Sequence, residues 1–231
     1  MVEELFGDIP AAPGVDPVVA PPVAARAHRM VLEDRIDLPR LYMAWPTPAQ
    51  FAPGDAELDL IADLLANGRT SRLYARLIHE RRIATELAAA QGSRELAGTF
   101  QILATAAPGR SLAELRAAIV EEIARFGATA PSGAEVERGR AQAEAAFVFR
   151  TQTLGGFGGK ADQLNAYNVY LGTPDYFDAD LARYVGATAD QLRDTAARWL
   201  DVDRVVELSV VPVGRPDLGL PHSEPVPGAT A

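Results

Sequence analysis

The stretch Leu64–Ala84, LLANGRTSRLYARLIHERRIA, decides how this chain is read. Asn67-Gly68 ends one helix, because glycine takes the left-handed conformation that closes a helical C-terminus. Thr70-Ser71 opens a second, which carries Leu73, Leu77 and an Arg/His/Glu cluster. Upstream, Leu58, Ile61, Leu64 and Leu65 recur at helical spacing behind the Pro53-Gly54 break. A helix, a tight turn and a helix over 71–82 are therefore expected around Asn67-Gly68.

Working outward, Met30–Arg35 and Arg40–Trp45 read as two strands joined by a turn at Asp37-Leu38-Pro39. Thr85–Gln91 and Thr99–Ala106 read as a hairpin. Ser111-Leu-Ala-Glu114 and Pro131-Ser132-Gly-Ala-Glu135 have the pattern of capping boxes, the second before a long helix reaching Thr153. Thr173-Pro174 reads as an N-cap with proline at the first helical position. Thr188-x-x-Gln191 opens one more helix, and Val205–Val213 closes as a strand. Hairpins mixed with helical pairs, without regular alternation, favour an α+β fold over a doubly wound parallel sheet.

The chain has 231 residues, 48% of them hydrophobic, enough for one large domain or two small ones. A net charge of −9 argues against a nucleic-acid partner, which needs a basic face. No cysteine means no disulfide framework and no thiolate metal site. No apolar run approaches the length of a membrane span, so no membrane partner is expected. The acidic, proline-broken N-terminus does not read as a secretory signal. Proline-rich composition divides the chain into a tail over 1–27, one body over 28–213 and a second tail over 214–231. Such a body between tails has the look of a domain cut from a longer chain.

The helix–NG–SRL–helix phrase resembles the C-terminal, non-catalytic half of the insulinase/pitrilysin family of zinc peptidases, which includes the mitochondrial processing peptidase. The resemblance runs from about Arg29 to Val213. It implies a mostly antiparallel sheet with helices packed on one face. It also implies that an N-terminal half or subunit carries the zinc, and that this chain forms the far wall of a chamber holding peptide substrate. The family's zinc phrase, H-x-x-E-H, is absent: His28, His79 and His222 are the only histidines. Laid over the zinc helix of a catalytic half, the motif positions fall on Asp59, Ala62 and Asp63. The general base becomes alanine and both imidazoles become carboxylates, best read as an exposed acidic face. No catalytic residue, no metal ligand and no cofactor are expected in this chain, so alone it is inactive.

Related C-terminal halves often carry an arginine and, seven residues later, a tyrosine that reach the substrate. Ile78 and Thr85 occupy those positions here, which leaves two readings open. One is a chamber wall of a periplasmic peptidase; the other is a degenerate scaffold subunit without proteolytic role. A homodimer is left open as well.

Three further patterns invite chemistry. His79-Glu80-Arg81-Arg82-Ile83 is a zincin string with its last ligand lost, better explained as a polar helix end. Ser71 and Ser93 have no histidine company in the sequence. The loop Gly155, Gly156, Phe157, Gly158, Gly159 fits neither a Walker loop nor a dinucleotide fingerprint. It reads as a helix-terminating hinge, and it resembles a substrate-handling loop of the processing peptidase's non-catalytic subunit. It is the one candidate peptide contact.

Overall fold

The computed structural model describes residues 1–10, 13, 14, 16, 18 and 26–228. Much of the proline-rich stretch expected to be a linker lies outside the described residues. In chain order the elements are α1 (Val2–Phe6), β1 (His28–Asp34), β2 (Arg40–Thr47), α2 (Asp55–Ala66), β3 (Ala84–Gly92) and β4 (Gly98–Ala106). They continue with α3 (Leu112–Ala128), α4 (Gly133–Gln152), α5 (Lys160–Leu171), α6 (Phe177–Val185), α7 (Ala189–Trp199), β5 (Val206–Pro212) and β6 (Glu224–Pro225). Among the described residues no helix is long and apolar enough to cross a membrane.

The strands form one six-stranded sheet in the order β3-β4-β2-β5-β1-β6. The pairs β3/β4, β4/β2 and β2/β5 are antiparallel, and β1 runs parallel to both β5 and β6. The expected α+β class, with a mostly antiparallel sheet and helices on one face, is the fold observed. Alternation along β2 buries Leu41, Met43 and Trp45 on one face. Phe100, Ile102 and Ala104 of β4 lie beside them in register, and α2, α3 and α7 cover this face with Leu58, Leu65, Leu115, Ile119 and Leu192. Trp45 closes the layer by donating its indole N–H to the Asp201 carbonyl at 3.0 Å. The opposite face carries the register row Leu103, Tyr42, Leu208 and Met30, which stays half-buried and outside the core cluster.

The strands expected at Met30–Arg35 and Arg40–Trp45 form, but they are not neighbours: β5 inserts between them. Its chemistry suits the centre, since Val210 and Val211 are buried on opposite faces. The helix expected over 71–82 is a wider turn, π-helical over Tyr74–Glu80, with Arg81 N–H bonding the Arg76 carbonyl. Leu73 and Leu77 are buried as expected, while Arg72 reaches Glu135 and Arg76 reaches Glu122.

Ser132/Glu135 and Thr188/Gln191 are complete capping boxes. Ser111 makes only its half, accepting from the Glu114 N–H, because the Glu114 side chain turns to Arg110 and Arg81. Thr173-Pro174 does not open a helix. Thr173 instead accepts from Asp175 N–H in a turn, and α6 begins at Phe177. The body also runs past Val213: Leu220 is 4% exposed in the core and β6 pairs with β1. The segment over 214–225 is therefore part of the domain, held by apolar burial that its proline content hid.

Candidate functional site

Asp55, Asp59 and Asp63 recur every fourth residue, so α2 presents all three on one stripe. The stripe faces the helices α4, α5 and α6 and is not the exposed acidic face expected from sequence. Asp55 is buried and fully engaged: it accepts from the Phe51 N–H at 2.9 Å, from Arg183 at 2.9 Å and from the Ser93 hydroxyl. Arg183 also pairs with Asp180 at 2.8 Å, and Asp180 accepts from Tyr167 at 2.8 Å. One guanidinium thus neutralises two buried carboxylates, and its plane lies over the Phe51 ring. Phe51 itself is held at a positive φ of 64°, locked among Tyr167, Tyr170 and Tyr176.

Asp59 is different. Its one hydrogen bond is from the Tyr184 hydroxyl at 2.7 Å, and among the described residues no cation pairs with it. Burial pushes its carboxyl up to about 7, against a smaller lowering by Tyr184, with Asp55 and Asp63 adding to the rise and the Arg150 charge offsetting it slightly. Asp63 is raised as well, again by burial, with Asn67 donating to it at 2.9 Å. Burial, and then Asp59, pushes the Tyr184 hydroxyl far above its ordinary value.

Two cavities of about 340 and 270 Å³ flank this carboxylate, and both are lined by Asp59, Gln91, Arg150 and Tyr184. The larger has apolar walls from Leu60, Ala143, Ala146 and Phe147 and is bounded by Ala89, Ala90 and Gln91 of β3. Because β3 is the terminal strand, its outward backbone groups have no strand partner in this sheet. A hydrogen-bonding strand edge beside a mixed cavity can hold an extended chain and lodge one of its side chains.

The glycine-rich loop joins α4 to α5. Gly156 and Gly158 take positive φ, 84° and 75°, and the loop is closed by Lys160 N–H to the Thr153 carbonyl and Gly158 N–H to Asp162. Gly155, Gly156, Gly158 and Gly159 thereby hold Phe157 out as a fully exposed tip. Val148, Phe149 and Leu154 are exposed nearby in sequence.

The remaining sequence candidates do not converge. His79 stacks edge-on against Tyr74, Ser71 donates to the Gly68 carbonyl in a turn, and no group of His, Asp or Glu among the described residues could hold a metal ion. Ile78 packs partly into the core and Thr85 is exposed. What the sequence missed is the partnership of Asp59 with Tyr184, 125 residues away. Nothing in the sequence around Tyr184 signals a carboxylate partner on α2.

A family model described as the peptidase M16 inactive domain matches residues 1–143. The chain belongs to the M16 peptidase family. It is the family's C-terminal, non-zinc domain, the half to which the sequence resemblance pointed. Comparison with curated protein sequences finds no match. Solved structures share the fold. A Helicobacter pylori protease aligns at 17% identity and TM-score 0.75 over 89% of this chain and 48% of its own. The M16 inactive domain from Pseudomonas fluorescens aligns at 17% and 0.73 over 90% and 48%. An inactive peptidase domain from Bordetella parapertussis aligns at 21% and 0.67 over 78% and 94%. This M16 inactive domain thus spans about half the length of the first two, and at these identities the likeness is one of fold.

Proposed function

We propose that this M16 inactive domain is the wall of a peptide chamber, standing opposite a zinc-bearing half that supplies the metal and the general base. The observation that carries the reading is the uncovered sheet face. Leu103, Tyr42, Leu208 and Met30 form a row across four strands that no core helix covers. Soluble domains rarely leave such a face without a use. The free edge of β3 supplies the hydrogen-bonding rail that an extended peptide needs, and the Phe157 tip supplies a second contact.

The test is reconstitution. The zinc-bearing half of the parent, assayed on a quenched fluorescent peptide, should gain most of its activity when this chain is added. Equal cleavage with and without it sinks the reading.

One observation favours a second reading, a scaffold subunit. At the two positions where related halves reach substrate, Ile78 is turned into the core and Thr85 offers only a short hydroxyl. Under that reading, addition of this chain changes assembly size without changing cleavage.

A further inference from the structure

We propose that Asp59 and Arg150 form a pH-operated gate over the paired cavities between α2, α4 and α6. Ionised Asp59 draws the Arg150 guanidinium across the cavity mouth, and protonated Asp59 releases it.

The geometry places both parts. Asp59 lies on the wall shared by the two cavities, fixed by the Tyr184 hydroxyl at 2.7 Å. Arg150 stands on the last turns of α4, lines both cavities, and leans over the Phe147 ring at 5.6 Å. It makes no ion pair among the described residues. From where it stands its charge has the smallest of the effects acting on the Asp59 carboxyl, a slight lowering, so the long side chain has a closer approach still to make. A stacked guanidinium gives up only a weak cation–π contact when it moves.

The surrounding charges decide which carboxylate can recruit it. On α2 itself, Asp55 is already taken by Arg183, and Asp63 accepts from Asn67 one turn further along. From α6, Asp180 is shared between Arg183 and Tyr167, and Tyr184 is spent on Asp59. From β3, Gln91 brings no charge. Asp59 is therefore the carboxylate between the cavities that lacks a cation, flanked by two like charges that raise the cost of ionising it alone. Its upward displacement to about 7 puts the change of charge within the ordinary range of cellular pH. Arg150 is the cation in reach that can offset it, and closing does so by bridging α4 to α2. The inference stands whether or not the domain handles peptides.

The experiment is a side-chain NMR titration of the whole chain, following the Asp59 carboxyl carbon and the Arg150 Nε signal. The expected result is one midpoint near 7 in both signals. In Asp59→Asn, which keeps the size of the protonated acid, the Arg150 signal should lose its pH dependence. In Arg150→Gln, an exposed and structurally mild change, the Asp59 midpoint should rise by about one unit because its cation is gone. An Arg150 signal that ignores pH in the unaltered chain overturns the gate. So does a response that survives in Asp59→Asn, or an Asp59 midpoint that Arg150→Gln leaves in place.

Discussion

Arg116 of α3 reaches the carboxylate of Glu207 on β5, a side chain 1% exposed at the centre of the sheet. Arg29 of β1 completes the cluster at 2.7 Å from the other oxygen. Removing one member of a buried ion cluster leaves the rest uncompensated, at a cost of about 3–5 kcal/mol. Glu207→Gln should therefore lower the urea midpoint by that equivalent, far more than a surface substitution would. A loss under about 1 kcal/mol would mean that both arginines find water instead.

Glu135 links the α4 cap to the residues that lead into the π-helical turn. Arg72 donates to it at 2.6 and 3.1 Å and, with Ser132, holds its carboxyl down at about 2. A depressed carboxyl stabilises the fold above its unfolded value of 4.5, and that stability drains away as pH falls from there toward 2. With solvent screening at this half-open site, the contribution is about 1–2 kcal/mol. Glu135→Gln should be weaker than the parent chain by that amount at pH 7 and level with it in strong acid. Parallel denaturation curves at the two extremes would refute the pairing.

The helices were legible where one face alone carries the apolar residues. Leu58, Ile61 and Leu65 of α2 and Leu115, Ile119 and Phe126 of α3 are core because their spacing admits no other face. Strand order was not legible. Periodicity says which face Leu208 or Met43 takes, but it carries no record of which strand lies beside it, so the insertion of β5 between β1 and β2 could not be read. The site suffered most from this limit. An acidic stripe on α2 looks solvated until α6 folds back over it, and nothing local to Asp59 announces Tyr184. Ser111 failed for a different reason, since a box pattern cannot reveal that Arg110 and Arg81 compete for Glu114.

The Asp59 carboxyl makes the opposite acid–base prediction from Glu135. Its folded value, about 7, lies above the unfolded 3.8, so the folded state holds the proton more tightly. That advantage is fully present below 3.8 and is lost as pH rises through about 7. Asp59→Asn cannot ionise and should be the more stable protein at pH 8, by no more than about 4 kcal/mol, with the gain shrinking toward pH 4. Thermal midpoints measured across that range test it. A variant less stable than the parent at pH 8 would show that the ionised carboxylate is well compensated.

Phe157 separates contact from support. It is fully exposed, so Phe157→Ser should leave stability within about 0.5 kcal/mol of the parent, as surface changes do. If the tip touches peptide in the assembled chamber, the same change should raise KM several-fold in the reconstituted assay. Gly158→Ala perturbs the loop by another route: at φ 75° a Cβ strains the backbone, with a cost of about 1 kcal/mol. Its effect on KM should resemble that of Phe157→Ser, because the glycines matter only through where they hold the ring. A Gly158→Ala variant impaired while Phe157→Ser is normal would assign the role to the loop backbone, and unaltered kinetics in both would remove this loop from the peptide's path.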